Sequence, residues 1–237
     1  MSIEIPDCKT PVTKEELIPA MWKAWMAYFG SVPKKESIWV IVGQIVLETG
    51  LKYCHNYNLG NAKSRDGDGY DYQFFGCGEE VPLSMANAWK AKDPGLVTIK
   101  RIYGASGKQM ASVWVDPPHW VSRFRAFHDL FEGATDHIAL LVRRFTIAWE
   151  GIERGDPALF GHLLKQQGYF TDDETSYVKK LVGTYTMVSK MAFDYDSLPV
   201  LTEAEKERIS NLVSLALQPL TDDIFSCPNS DPDEPNA

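Results

Sequence analysis

SIWVIVGQIVLETG, residues 37–50, is the stretch on which the fold turns. Between its opening serine and Glu48 it carries no charge, and Gln44 is its one polar side chain. A helix apolar on nearly every side is a buried one. Gly50 stands where a left-handed residue would close its C-terminus. Glu48 falls in the last turn, where the negative end of the helix macrodipole opposes ionisation. Partial burial would act in the same direction. A carboxyl group kept protonated near neutral pH is what a general acid needs. The plainer alternative is an exposed glutamate at a frayed helix end.

On either side of this helix the chain reads as mainly helical. Thr13 and Glu16 form a capping box ahead of a helix in which Trp22, Trp25 and Phe29 recur at helical spacing. After Glu48 the pattern changes. Residues 55–80, HNYNLGNAKSRDGDGYDYQFFGCGEE, hold turn formers and then Tyr70, Tyr72 and Phe74 at period two, which predicts a short β-hairpin or small sheet. Short helices are expected over 84–92 and about 107–115, inside a long insertion. Helical periodicity returns over 130–150. Asp156 and Pro157 open a further helix that stops at Gly168. Thr171 with Glu174, and Thr202 with Glu205, open two more. The tail 226–237, SCPNSDPDEPNA, is acidic and proline-rich, with the composition of a disordered segment.

The chain has 237 residues, 44% of them hydrophobic, enough for one substantial core. Its formal net charge is −8, and Lys and Arg form no long basic stripe, so nucleic acid is not an expected partner. No stretch reaches the ~18 uncharged apolar residues of a membrane span. The opening MSIEIPDCKT lacks the positive segment and apolar run of a signal peptide, which predicts synthesis in the cytoplasm. Cys8, Cys54, Cys77 and Cys227 form no C-x-x-C pair, so neither a metal nor another cofactor is expected. Cys54 and Cys77 flank the polar segment and could meet in space, but free thiols are the simpler reading. Asp66-Gly67-Asp68-Gly69 lacks the remaining acids of a calcium loop and reads as a tight turn. The five histidines accompany no serine elbow, which leaves peptidase chemistry without support.

A buried helix ending in Glu, a polar loop, a small β element and then helices is the lysozyme-like plan. LETG (47–50) followed by NYNLGNAK (56–63) resembles the signature of the bacterial N-acetylglucosaminidases of glycoside hydrolase family 73. FRAF (124–127) is similar to that family's F-R-x-Y/F segment, and GYFTD (168–172) with Tyr177 to its G-Y-A-T-D-x-x-Y segment. The resemblance spans about 38–180 and implies an α+β, mainly α, bilobal lysozyme-like fold. It implies one catalytic domain over 1–225, with a β-lobe at about 55–82 and an insertion at about 83–115. That insertion is longer than compact members of the family carry. The family's second carboxylate, usually in a T-x-E context, has no unambiguous counterpart; Glu79 and Glu80 are the nearest candidates, with Asp66, Asp68 and Asp71 behind them.

Glycosidic cleavage needs an acid for the leaving oxygen, the role assigned to Glu48, and a second group to stabilise the oxocarbenium-like transition state or activate water. With N-acetyl sugars the substrate's own acetamido oxygen can do the second job. A tyrosine would then orient it, and the resemblance puts Tyr169 there. Tyr169 read without the resemblance is a core aromatic, and Glu79 and Glu80 are solvated hairpin charges. Asn56, Tyr57, Asn58, Asn61, Lys63, Glu80, Phe124, Trp120 and Tyr177 are the candidate substrate contacts. The asparagines could equally be making turns, and Trp114, His119 and Trp120 could be either a sugar-stacking wall or a lid on the core.

The expected activity is therefore cleavage of the β-1,4 bonds of peptidoglycan glycan strands, with N-acetylglucosaminidase favoured. N-acetylmuramidase or lytic transglycosylase on the same scaffold are the alternatives within the class. Outside it stands a non-catalytic glycan-binding or structural module of a phage tail or injection apparatus. Action on the cell wall after cytoplasmic synthesis would call for release or delivery, by a phage virion or secretion machinery.

Overall fold

A computed structural model of the chain describes residues 2–50, 53–104, 109–170, 173–191, 193–195, 198 and 201–217. The fold is α+β and mainly helical, with small antiparallel sheets. The chain divides into two compact units: a helical unit from Cys8–Gly60 and Phe127–Asp222, and a sheet unit from Met1–Asp7 and Asn61–Ala126.

Within the helical unit, the strands β1 (Lys9–Thr10) and β2 (Cys54–His55) pair antiparallel around the first two helices, α1 (Lys14–Phe29) and α2 (Lys35–Thr49). The expected capping box is present: Thr13 Oγ1 accepts from Glu16 N, and Glu16 returns a bond to Thr13 N. Ile38, Val40, Ile41, Val42, Gln44 and Ile45 of α2 are all fully buried, as its composition requires. Gly50, at φ 61°, closes the helix by donating to Val46 O.

In the sheet unit, β3 (Tyr72–Phe74) and β4 (Cys77–Pro82) precede the helix α3 (Leu83–Lys92), and β5 (Val97–Tyr103), β6 (Met110–Val115) and β7 (Arg123–Arg125) follow it. β4, β6 and β5 form one antiparallel sheet, and β3 pairs with β7. A second core lies here, built from Val81, Ala86, Trp89, Val97, Ala111, Val113 and Val115 with Val121 and Phe124. Of the hairpin or small sheet expected from the period-two aromatic run, the small sheet is present: its partner is β7, and Gln73 rather than the aromatics points inward, donating to Arg125 O across 52 residues of sequence. One expectation is corrected. The helix expected near 107–115 is strand β6 from Met110, because Ala111, Val113 and Val115 alternate inward, a strand's period. Gly107 lies outside the described residues. The expected insertion is thus the larger part of a three-stranded sheet.

The second run of the helical unit carries α4 (Leu130–Arg144), α5 (Trp149–Arg154), α6 (Pro157–Gln166), α7 (Glu174–Ser189) and α8 (Glu203–Leu217). The single helix expected over 130–150 is broken after Arg144. Gln167 explains the break: its amide donates to Arg144 O and accepts from Ala148 N, satisfying the backbone groups that the interruption exposes. Asp156 caps α6 through Ala158 N and Leu159 N, with Pro157 at its start. Thr202 and Glu205 make the reciprocal bonds expected ahead of α8. Asp173 caps α7 through Ser176 N; the expected cap Thr171 lies outside the described residues, as do Cys227 and the tail 226–237. α2 and α7 meet almost backbone to backbone, since a Cβ on Gly43 would stand 3.0 Å from Tyr185 N.

Candidate active site

Gln44 and Glu48 are four residues apart on α2 and so share one face of that helix. Gln44 is fully buried, whereas Glu48 is exposed, the second of the two readings the sequence left open. The hydroxyl of Tyr177, on the first turns of α7, donates to Glu48 Oε1 at 2.7 Å. Tyr177 is itself only 8% exposed, and its ring stacks on Phe170 at 3.8 Å. Tyr169, just beyond α6, packs edge-on against Phe145 and meets the Gln44 side chain, whose Nε2 donates to its hydroxyl at 2.5 Å. On the far side of Gln44, the Oε1 atom faces His137 Nε2 of α4 at 3.1 Å.

The electrostatics of this group follow from burial. Both phenols titrate well above the ordinary tyrosine range, first because they are desolvated and then because the Glu48 charge opposes a second negative charge beside it. They remain neutral donors at any working pH. Burial alone pushes the His137 imidazole down to about 4. Together these side chains form a buried polar string that ends on one exposed carboxyl group.

Directly after the helix, Asn56 and Tyr57 adopt φ of 42° and 55°, and Asn58 N donates to His55 O. Positive φ at both central residues is the type I′ pattern, which a bulky side chain such as Tyr57 adopts only under strain. Gly133 of α4 lets this turn close, because a Cβ there would lie 2.0 Å from Tyr57 O. Asn56 and Asn58 are buried and therefore belong to the turn rather than to an open surface.

The remaining candidates gather in the sheet unit. Lys63 Nζ lies 2.7 Å from Glu79 Oε1, donates to Val121 O at 2.6 Å, and sits 3.8 Å over the Phe124 ring. Cys77 adjoins the same ammonium, and burial drives its thiol up to about 11. Glu79 and Glu80 leave β4 on opposite faces, and Glu80 accepts from the Tyr103 hydroxyl. Trp120 is 47% exposed and lies edge-on to Trp89, beside the buried His119. Trp114 is bonded to Asp116, and no ring contact joins it to Trp120 among the described residues. Asn61 is exposed, with φ 48°. Asp68 uses its carboxylate to cap a turn through Arg65 N and Tyr70 N. The three described cysteines are free.

Glu48, Tyr169 and Tyr177 thus converge in one unit, and Lys63, Glu79 and Phe124 in the other. Sequence reasoning assigned no role to Gln44, His137, Phe170 or Trp89. For Gln44 a signal was present: a polar side chain inside an apolar run, one turn before the key acid, has to find a partner. Among the described residues, no three His, Cys, Asp or Glu side chains stand close enough to share a metal ion, and no helix is long and apolar enough to cross a membrane. Comparisons of the chain with protein-family models, curated proteins and solved structures found no match.

Proposed function

We propose that the protein is a peptidoglycan hydrolase that cuts β-1,4 glycosidic bonds with Glu48 as general acid. The observation that carries this reading is the bond from Tyr177 to Glu48 Oε1. A neutral phenol that donates to one carboxyl oxygen fixes the direction of the group that would deliver the proton. Exposure of Glu48 suits a group that must reach a polymer, and the buried Tyr177 beneath it fixes its direction. The motif order of the N-acetylglucosaminidases of glycoside hydrolase family 73 favours cleavage after N-acetylglucosamine.

Glu79 bears on the second half of the reaction. Its carboxylate is engaged by Lys63 at 2.7 Å, so it is already committed to an ammonium group of its own unit. That favours a route without a second protein carboxylate. Either the substrate's acetamido oxygen attacks the anomeric carbon, or, in a lytic transglycosylase, the muramyl 6-hydroxyl does. A carrier such as a phage virion or a secretion device would bring the protein to the wall.

The test is glycan cleavage by wild type and by Glu48→Gln, whose amide oxygen still accepts from Tyr177. Loss of the general acid should lower the rate ~10²–10⁴-fold with the fold retained. Mass spectrometry of the muropeptides separates reducing-end glucosamine, reducing-end muramic acid and anhydromuramic acid. Retention of more than a tenth of the activity refutes the role of Glu48. Absence of cleavage by wild type on every wall tested would favour a non-catalytic glycan-binding module.

A further inference from the structure

We infer that the pocket beside Arg123 binds the carboxylate of a small ligand, and that the Asp66 side chain stands in that carboxylate's place. The site lies wholly within the sheet unit and is independent of Glu48. β3 and β7 pair so that Tyr72, Phe74, Arg123 and Arg125 share one face of their two-stranded sheet. Each guanidinium covers a tyrosine ring, Arg123 at 3.6 Å from the Tyr72 centroid and Arg125 at 3.7 Å from that of Tyr70. Each also has an aspartate beside it, and here the two pairs differ. The Asp68 side chain, 3.9 Å from Arg125, is 19% exposed and is tied into its turn by Arg65 N and Tyr70 N. The Asp66 side chain is 98% exposed, and Arg123 is its one hydrogen-bond partner among the described residues. The turn is held by Asp68 and has no need of Asp66.

Arg123 itself is only 9% exposed. Of its N–H donors, Asp66 takes one at Nη1, and Nε is buried with no hydrogen-bond partner among the described residues. A buried cation with unused donors is costly, and an ion pair whose other half stands in water recovers little of that cost. Beside the guanidinium is an open pocket of about 490 Å³, lined by Ser2, Asp66, Gly67, Gly69, Tyr72 and Arg123. The two glycines present no side chain to it, and a Cβ added to Gly67 would meet nothing within 4 Å. Arg123 is the one cation of this lining and Asp66 its one anion, so withdrawal of Asp66 leaves a positive site. The planar guanidinium fork suits a carboxylate that offers both oxygens, and Ser2 adds a hydroxyl donor. The ligand this chemistry recognises is a carboxylate on a small polar body, either the C-terminus of a peptide or an acidic sugar.

Calorimetric titration of the full chain with N-acetylalanine, glucuronic acid, N-acetylalanine amide and inorganic phosphate tests this. Asp66→Ala removes the internal carboxylate at a position too exposed to disturb the fold. With Asp66 in the fork for about nine-tenths of the time, its removal should tighten carboxylate binding about tenfold. Arg123→Met should abolish that binding. Glu4→Gln removes a charge from the exposed segment that pairs beside Tyr72 and makes no described contact with Arg123. Affinity within ~twofold of wild type in Glu4→Gln separates displacement of Asp66 from a change in net charge. The tighter of the two carboxylates, peptide-like or sugar, identifies the source, and the amide should not bind. The inference is overturned if neither carboxylate saturates Asp66→Ala, or if Asp66→Ala binds no more tightly than wild type or Glu4→Gln. Tighter binding of the amide or of phosphate than of both carboxylates overturns it as well. These comparisons decide the matter even where Arg123→Met does not fold. None of them uses glycan cleavage, so activity retained by Glu48→Gln would refute the functional reading alone.

Discussion

Acid should unfold this protein partly through one buried histidine. Burial alone holds the folded His137 near 4, against an ordinary value of 6.5. In the unfolded chain the imidazole takes up its proton as pH falls through 6.5; in the folded chain it stays neutral to about 4. The unfolded state binds more protons across that window, so stability is full above 6.5 and declines as pH falls, the loss being complete below 4. With ~1.4 kcal/mol per pKa unit, His137 should cost about 2 kcal/mol at pH 5 and about 3 kcal/mol at pH 4, relative to pH 7. Urea titrations followed by tryptophan fluorescence at pH 7, 6, 5 and 4, on wild type and His137→Gln, measure this directly. The variant should lose about 2 kcal/mol less than wild type between pH 7 and 5. His119 is also held below its ordinary range, by desolvation, but it titrates in both proteins and cancels. Stability curves that fall in parallel for the two proteins would refute the burial argument.

Two further outcomes follow from the described contacts. Gly133→Ala forces a methyl group against Tyr57 O and should destabilise by ~2 kcal/mol, a melting temperature lower by ~4–8 °C in calorimetry; an unchanged value would mean the turn yields freely. Glu79→Gln should keep glycan cleavage within ~threefold of wild type and cost at most ~1 kcal/mol, because the Lys63 pair is partly exposed. A loss of activity on the scale of Glu48→Gln would instead make Glu79 the second catalytic carboxylate.

The helical half of the molecule was legible because its signals are local. The apolar run to Glu48, the Thr13–Glu16 and Thr202–Glu205 boxes and the Asp156-Pro157 start all state their structure within a few residues. The sheet unit was not legible in this way. Gln73 is buried because Arg125 arrives 52 residues later, and no pattern within 70–75 carries that information. The break after Arg144 depends likewise on Gln167, 23 residues further on. Of the candidate site, Glu48 and the two tyrosines stood out as residue types in motifs. Whether Glu48 is buried or exposed stayed open between two readings, since helix phase in the last turn depends on what packs beside it. Gln44 and His137 went unassigned because each acquires its meaning from the other, and α2 and α4 are far apart in sequence.

The glycine contact between α2 and α7 sets a tolerance on the chemistry. Glu48 rides on one of these helices and Tyr177 on the other, so the length of their bond is a readout of helix register. Sliding α7 by a single residue along its axis would carry the phenol ~1.5 Å, enough to take a 2.7 Å hydrogen bond out of range. Gly43, where the α2 backbone comes within van der Waals reach of Tyr185 N, acts as a detent against such sliding. The aim of the proposed acid is thus held by two rigid rods locked at a notch, one and a half turns of helix away from the carboxyl group itself.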